Sequence, residues 1–433
     1  MLGAAILQGA GGRLLPASVP LRFFAAAVAA HVAFWAMLLA TSDQLAGFRG
    51  GFAPLLAAVH LLTIGVLVMT AIGAAVQILP VVTRRPLAAV WPVKLVFWLL
   101  LPGLVVLAVG FYGTNLRVAS AGAGIVAAAL LLFAAVLADS LRRASGAPII
   151  VAYGWAALAC LIATVGLGLK LIADFTRGGS AKHAAYALGH VILGGFGYMG
   201  LLAVGFSHVL VPMFTLAQVP DRSRSWTGFA TATLAVALGA ASAVWPAPDL
   251  LPAAAAVGVI GCGLYLWLMR QALRDGMRRR LGLSFVLVRA AWVLQVATLA
   301  VGLLAALGRS GRQGSALFGL LLFTGWLLTF LLAILQRILP MLASMHVAPA
   351  RRVASGAEGE GAPVRWLPLH ACCHALALAI IGVGVVADAA DLVRLGSAIG
   401  LVGAAAYAAF TLRVLTEIRR AATPPAPTGR PAT

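Results

Sequence analysis

Eight histidines are the residues of this sequence best suited to chemistry, and three of them stand inside long apolar runs. His60 opens HLLTIGVLVMTAIGAAVQILPVV, His190 opens HVILGGFGYMGLLAVGFSHVLVPMF, and His31 lies midway along the first apolar run. His60 is about eight and His190 about seven residues into a predicted helix, roughly 10–12 Å deep at a rise of 1.5 Å per residue. His31 sits slightly deeper. Imidazole is neutral near pH 7, tolerates apolar surroundings better than a full charge, and ligates both haem iron and copper. His60, His190 and His31 are therefore a candidate cofactor site for haem b or copper. The competing reading is that each donates one hydrogen bond to a neighbouring helix.

A second candidate is HACCH. His370 and His374 are four apart, share one helix face and could ligate one metal ion. At 100° per residue Cys372 and Cys373 project about 160° and 60° away from His370, so the four side chains cannot converge without another helix. A small-residue packing face with a wet histidine edge is the alternative. His208, beside Pro212, reads as a structural hydrogen bond. Gln77 and Arg337 stand three residues before prolines in matching positions, and Arg337 reads as a lipid-phosphate contact. Lys94 and Lys170, near helix ends, read as snorkelling cations. Every Asp and Glu falls in a connector or near a helix end. A proton relay needs a titrating group along its path, so coupled transport is disfavoured. No Walker loop, Rossmann glycine pattern, HExxH or nucleophile elbow occurs in a suitable context.

The elements that must position these residues are membrane helices. The chain is 62% hydrophobic and 10% charged, with mean hydropathy +1.03, which excludes an ordinary soluble domain. The pattern predicts an all-α polytopic membrane protein with twelve transmembrane helices, at 20–42, 52–81, 88–113, 117–139, 147–173, 183–216, 226–246, 250–273, 283–308, 314–345, 366–388 and 393–417. The second, sixth and tenth repeat one another. Their closing prolines, Pro80, Pro212 and Pro340, stand 132 and then 128 residues apart. Gly65, Gly197 and Gly325 form one column; Gly73, Gly205 and Ala333 form another. Small residues on one face let helices approach closely. The repeat unit is then a four-helix arc used three times (20–145, 146–280 and 281–420), within a single membrane domain.

The net charge of +20 sits in short connectors, so orientation explains it better than nucleic acid. With the N-terminus in the cytoplasm, eighteen Lys and Arg lie inside, including Arg84, Arg85, Arg142 and Arg143, against seven outside. Both termini are expected in the cytoplasm, in a bacterial inner membrane. No cleavable leader is evident, residues 346–365 read as a cytoplasmic connector, and 421–433 as a disordered tail. Cys160, Cys262, Cys372 and Cys373 show no CxxC spacing.

Twelve helices in three arcs, with a histidine high in the second, resemble subunit I of the haem–copper oxidase superfamily. The two blocks opened by His60 and His190, and LRFF before the first helix, resemble its divergent bacterial relatives of the NnrS type, tied to the nitric-oxide response. The resemblance implies that His60 matches a low-spin haem ligand and that His190 lies in the helix that gives a copper ligand. The departures are larger. SWTGFATATLAVALGAASAVW lacks the histidine pair of the copper site. The tenth helix offers only Gln336 and Met341 in place of two haem-ligating histidines. No tyrosine or acidic residue in the sixth helix marks an oxygen-chemistry or proton-pumping apparatus. The expectation is a haem-binding or copper-binding relative that is not a terminal oxidase or nitric oxide reductase, with a role in nitric-oxide response or respiratory-complex function. A membrane transporter or metal-free scaffold subunit is the alternative. The expected partners are the lipid bilayer and a further membrane protein or a second copy of the chain, with no nucleic acid.

Overall fold

The apolar runs form helices where the sequence places them. The computed structural model describes residues 15–245, 247–278, 280–346 and 365–422. Among the described residues twelve helical rods follow one another: α1 (Ser18–Ala40), α2 (Leu55–Val82), α3 (Trp91–Tyr112), α4 (Leu116–Arg142), α5 (Pro148–Thr176), α6 (His183–Thr215), α7 (Arg222–Ala241), α8 (Leu250–Asp275), α9 (Gly282–Ala306), α10 (Gly314–Gly319, Leu320–Leu328 and Thr329–His346 in succession), α11 (Trp366–Val386) and α12 (Ala390–Ala422). Among the described residues there is no strand. Residues 347–364 of the connector, and 423–433 of the tail, lie outside the described residues.

Local chemistry sets the ends. Pro92 and Pro148 occupy first-turn positions, where a missing N–H costs nothing. Asn115 caps α4 by accepting from Val118 N at 3.2 Å, and Asp221 caps α7 by accepting from Arg224 N at 2.9 Å.

Eleven of the twelve rods are long and apolar enough to cross a membrane. Large apolar side chains such as Trp98, Val109, Leu131, Val293 and Leu412 are exposed, a lipid-facing surface that a water-soluble protein would not carry. The chain is a multi-pass membrane protein. The exception is α7, shortened and made more polar by Thr227, Thr231 and Thr233. Each of these threonines returns its hydroxyl to a carbonyl one turn back.

Burial ranks the rods. In α2, α6 and α10 the most apolar stretch is 67%, 56% and 67% buried, against 50% or less in every other span. These are the glycine–proline helices, and each contains a π-helical segment: Leu61–Val68, Ile192–Gly200 and Leu320–Leu328. The segment of α10 touches those of α2 and α6, so the three wide turns meet at the centre. Around them α3 pairs with α4, α7 with α8, and α11 with α12, while α12 packs on α1. The glycine column works in part. A Cβ on Gly65 would stand 2.8 Å from Ala30 Cβ, and one on Gly197 2.7 Å from Cys160 Sγ. Gly325 has room, with Leu294 Cβ at 3.6 Å.

Candidate functional site

His60 is the last residue before the π segment of α2, and His190 lies two residues before that of α6. They sit five residues after Leu55 and seven after His183, about 8 and 10 Å along their helices. The Nδ1–H of His60 donates to the Leu56 carbonyl at 2.8 Å. The Nδ1–H of His190 donates across to the Thr164 carbonyl of α5 at 3.0 Å. With a carbonyl as partner, Nδ1 carries the proton and Nε2 keeps its lone pair. That is how metal-ligating histidines are usually held, with the second nitrogen donating to a backbone oxygen. Gly168 makes the space: a Cβ there would stand 3.1 Å from His190 Cε1.

An aromatic roof covers His60. Its ring stacks on Phe111 at 4.9 Å, Phe111 meets Phe52 at 5.5 Å, Phe52 meets Phe175 at 5.3 Å, and Phe175 meets His183 at 4.6 Å. Above this stands Asp174, buried, paired with Lys170, 3.0 Å from Ser180 Oγ and 3.6 Å from His183 Nδ1. Lys170 therefore reaches a carboxylate of the chain rather than only the interface, and its ammonium also lies 5.1 Å over the Tyr186 ring. Sequence reasoning passed over this network; the i,i+4 spacing of Lys170 and Asp174 was the available signal.

His31 is elsewhere. It is fully buried and faces His370, with ring centroids 6.0 Å apart, and Tyr407 at 6.3 Å. His374 lies 5.7 Å from His370 in a near-parallel stack. The structure thus brings His31 to His370 and His374, rather than gathering His31, His60 and His190. The histidine edge of HACCH is dry, not wet: His370 and His374 are both buried, whereas Cys372 is exposed and Cys373 packs against Gly403. His370 Nδ1–H donates to the Gly403 carbonyl at 3.1 Å, and His374 Nε2 bonds Thr329 Oγ1 at 2.7 Å. His31 Nδ1, His370 Nε2 and His374 Nδ1 are buried without partners. Among the described residues no three His, Cys, Asp or Glu side chains are arranged to hold a metal ion.

Other expectations shift. Arg337 uses its donors within the chain, on Ser284 Oγ at 2.7 Å and the Leu281 carbonyl, and lies over Phe285 at 5.6 Å. Gln77, its column mate in α2, is buried with neither amide atom partnered. His208 makes the structural bond, Nδ1 to the Val204 carbonyl at 2.9 Å. Tyr198, in the π segment of α6, is buried with an unpartnered hydroxyl, a feature its plain apolar context hides.

A cavity of about 810 Å³ opens between α6, α7, α8, α9 and α10. Leu188 and Ile192 line it, but neither His60 nor His190 does. The cavity therefore does not supply a macrocycle pocket for the histidine pair. No family model matches this sequence, and no curated protein matches it.

Proposed function

We propose that this chain is a non-catalytic, oxidase-subunit-I-like membrane protein that binds a redox metal through His60 and His190. The observation that carries it is the matched anchoring of the His60 and His190 imidazoles. Each gives Nδ1–H to a backbone carbonyl and keeps its Nε2 lone pair. Neutral imidazole suits copper and haem iron alike. Copper fits better, because a bare ion needs no macrocycle pocket and the large cavity does not reach the pair. Bound copper would supply one-electron redox chemistry; the two histidines would hold it, and the Phe52–Phe111 pair above His60 would shield it from water.

The three-arc reading belongs to this proposal. It is supported by one π segment in each of α2, α6 and α10, by the packing of each on the helix before it, and by the α3–α4, α7–α8 and α11–α12 pairs. The excess of arginine on one set of connectors supports a bacterial inner membrane with both termini in the cytoplasm.

The test is metal analysis of the purified protein, with oxidised and dithionite-reduced visible spectra and a pyridine haemochrome assay. About one copper per chain, lost in both His60→Ala and His190→Ala, supports the reading. A reduced α-band would put haem at the pair instead. A colourless protein that takes up neither copper nor haem overturns both and leaves transport or scaffolding.

A further inference from the structure

The 810 Å³ cavity is bounded by one face of each helix around it. On α8 its lining runs Leu251, Ala254, Gly258, Gly261 and Tyr265, steps of three and four that keep to one side of the rod. On α7 it runs Gly228, Ala232, Val236 and Gly239, with the same spacing. Small side chains at such positions usually let neighbouring helices close on each other. Here they face a gap: a Cβ on Gly228 would meet nothing within 4 Å. Tyr265 is fourteen residues on from Leu251, so the lining covers roughly 21 Å of helix. Spread over that length, 810 Å³ gives a mean cross-section of roughly 39 Å², a slot about 7 Å wide. Half a bilayer, head groups included, is roughly 20–22 Å thick. The slot has the depth of one leaflet.

Its two ends differ. Arg49 and Arg312 line the loop end, both are exposed, and no lining residue is acidic. Among the described residues neither guanidinium has a carboxylate or hydrogen-bond partner in the chain. The Ser315 hydroxyl, three residues past Arg312, donates to the Phe48 carbonyl at 3.5 Å and so ties the loop of Arg49 to the start of α10. Two cations are thereby held at one mouth. The walls below are apolar, with Ile192, Phe196, Leu299, Phe318 and Trp326 among them. At the far end the Tyr265 hydroxyl is already engaged, with Trp292 Nε1–H at 3.0 Å and Ser207 Oγ at 3.0 Å, and needs no partner from a ligand. The outer wall borders lipid: α8 is the least buried of the eleven spans, at 22% of its most apolar stretch.

We propose that this cavity holds one phospholipid of the surrounding bilayer whose head group is anionic. The phosphate lies between Arg49 and Arg312, and an acyl chain runs down the slot towards Tyr265. The walls alone select little, because the tails outside are as apolar as they are. Selection rests on charge: a zwitterionic head brings its own cation to the arginines, and an anionic head does not. The site is separate from the histidine pair and does not rest on metal binding.

The test is native mass spectrometry of the full chain, released by detergent from nanodiscs of equal phosphatidylglycerol and phosphatidylcholine. One phosphatidylglycerol retained per chain, preferred about 25-fold over phosphatidylcholine, is expected. At about a factor of five for each basic residue, Arg49→Gln and Arg312→Gln should each cut the preference to about five-fold, and the double variant should remove it. These changes fall on exposed loop positions and leave the packing alone. Gly228→Phe fills the far end of the slot without a packing clash and should expel the lipid. Gly124→Phe, at an exposed and equally open position outside the cavity, is the control that keeps it. No retained lipid, equal retention of the two lipids, or phosphatidylglycerol that survives Gly228→Phe would overturn the proposal.

Discussion

Trp35 donates its indole N–H to Nε2 of His31 at 3.0 Å, and this bond fixes the tautomer of one of three imidazoles buried together. With Nε2 accepting, His31 carries its proton on Nδ1. His370 donates from Nδ1 to Gly403, so its Nε2 is a lone pair. Thr329 gives its hydroxyl hydrogen to the Thr324 carbonyl, so His374 must donate from Nε2 and keep a lone pair on Nδ1. Trp35→Phe should leave His31 Nε2 buried and unpaired, a loss of about 1–3 kcal/mol. The check is thermal unfolding in detergent. An unchanged midpoint would mean that Trp35 does not hold the tautomer.

Gly168 is the floor under His190. Gly168→Ala puts a methyl against Cε1 and should tilt the ring off the Thr164 carbonyl. If the pair holds copper, affinity should fall about 10–100-fold, the usual cost of disturbing a metal ligand's anchor. Competitive titration against a chelator of known affinity measures it, with thermal stability recorded alongside to separate ligation from folding.

The α3–α4 hairpin depends on backbone contact. A Cβ on Gly110 would collide with the backbone of Ala119, whereas one on Gly124 meets nothing. Gly110→Ala should therefore cost about 1–3 kcal/mol through forced separation of the helices. Gly124→Ala should cost nothing and gain slightly in helix propensity. Paired melting curves decide between them.

Arg337 ties α10 to the start of α9 through Ser284 and the Leu281 carbonyl. Arg337→Met keeps the stem but removes the donors, and should destabilise by about 1.5–3 kcal/mol, the range for hydrogen bonds to a charged group. If Arg337 acted through lipid phosphate instead, its effect would depend on anionic lipid. Melting in nanodiscs with and without anionic lipid distinguishes the two; the intrachain reading expects no difference.

The helices were legible because lipid imposes a simple rule on composition. The sixth, read at 183–216, is His183–Thr215. The seventh, read at 226–246, begins at Arg222 because Asp221 caps it, a local bond that hydropathy does not register. The grouping of the histidines was not legible. Depth can be counted along a sequence, but rotation is set by packing: α1 turns His31 towards α11 and α12, not towards His60. The π segments add to this, since they change the register of α2 and α6 directly after His60 and His190. Nor did composition show the roof over His60, assembled from Phe52, Phe111 and Phe175 on three different stretches.

Those π segments also mean that each central helix holds slack. A π turn arises where a helix carries surplus residue length relative to the α ladder on either side. Removing one residue from Leu61–Val68 lets the turn relax to α while both flanks stay where they are. The same removal within α1 would rotate every later side chain of that rod. A buried spanning helix ordinarily forbids a change of length. Here the three at the centre are the ones that can absorb it, and gel filtration of the two single-residue deletions should show the α2 variant folded and the α1 variant not.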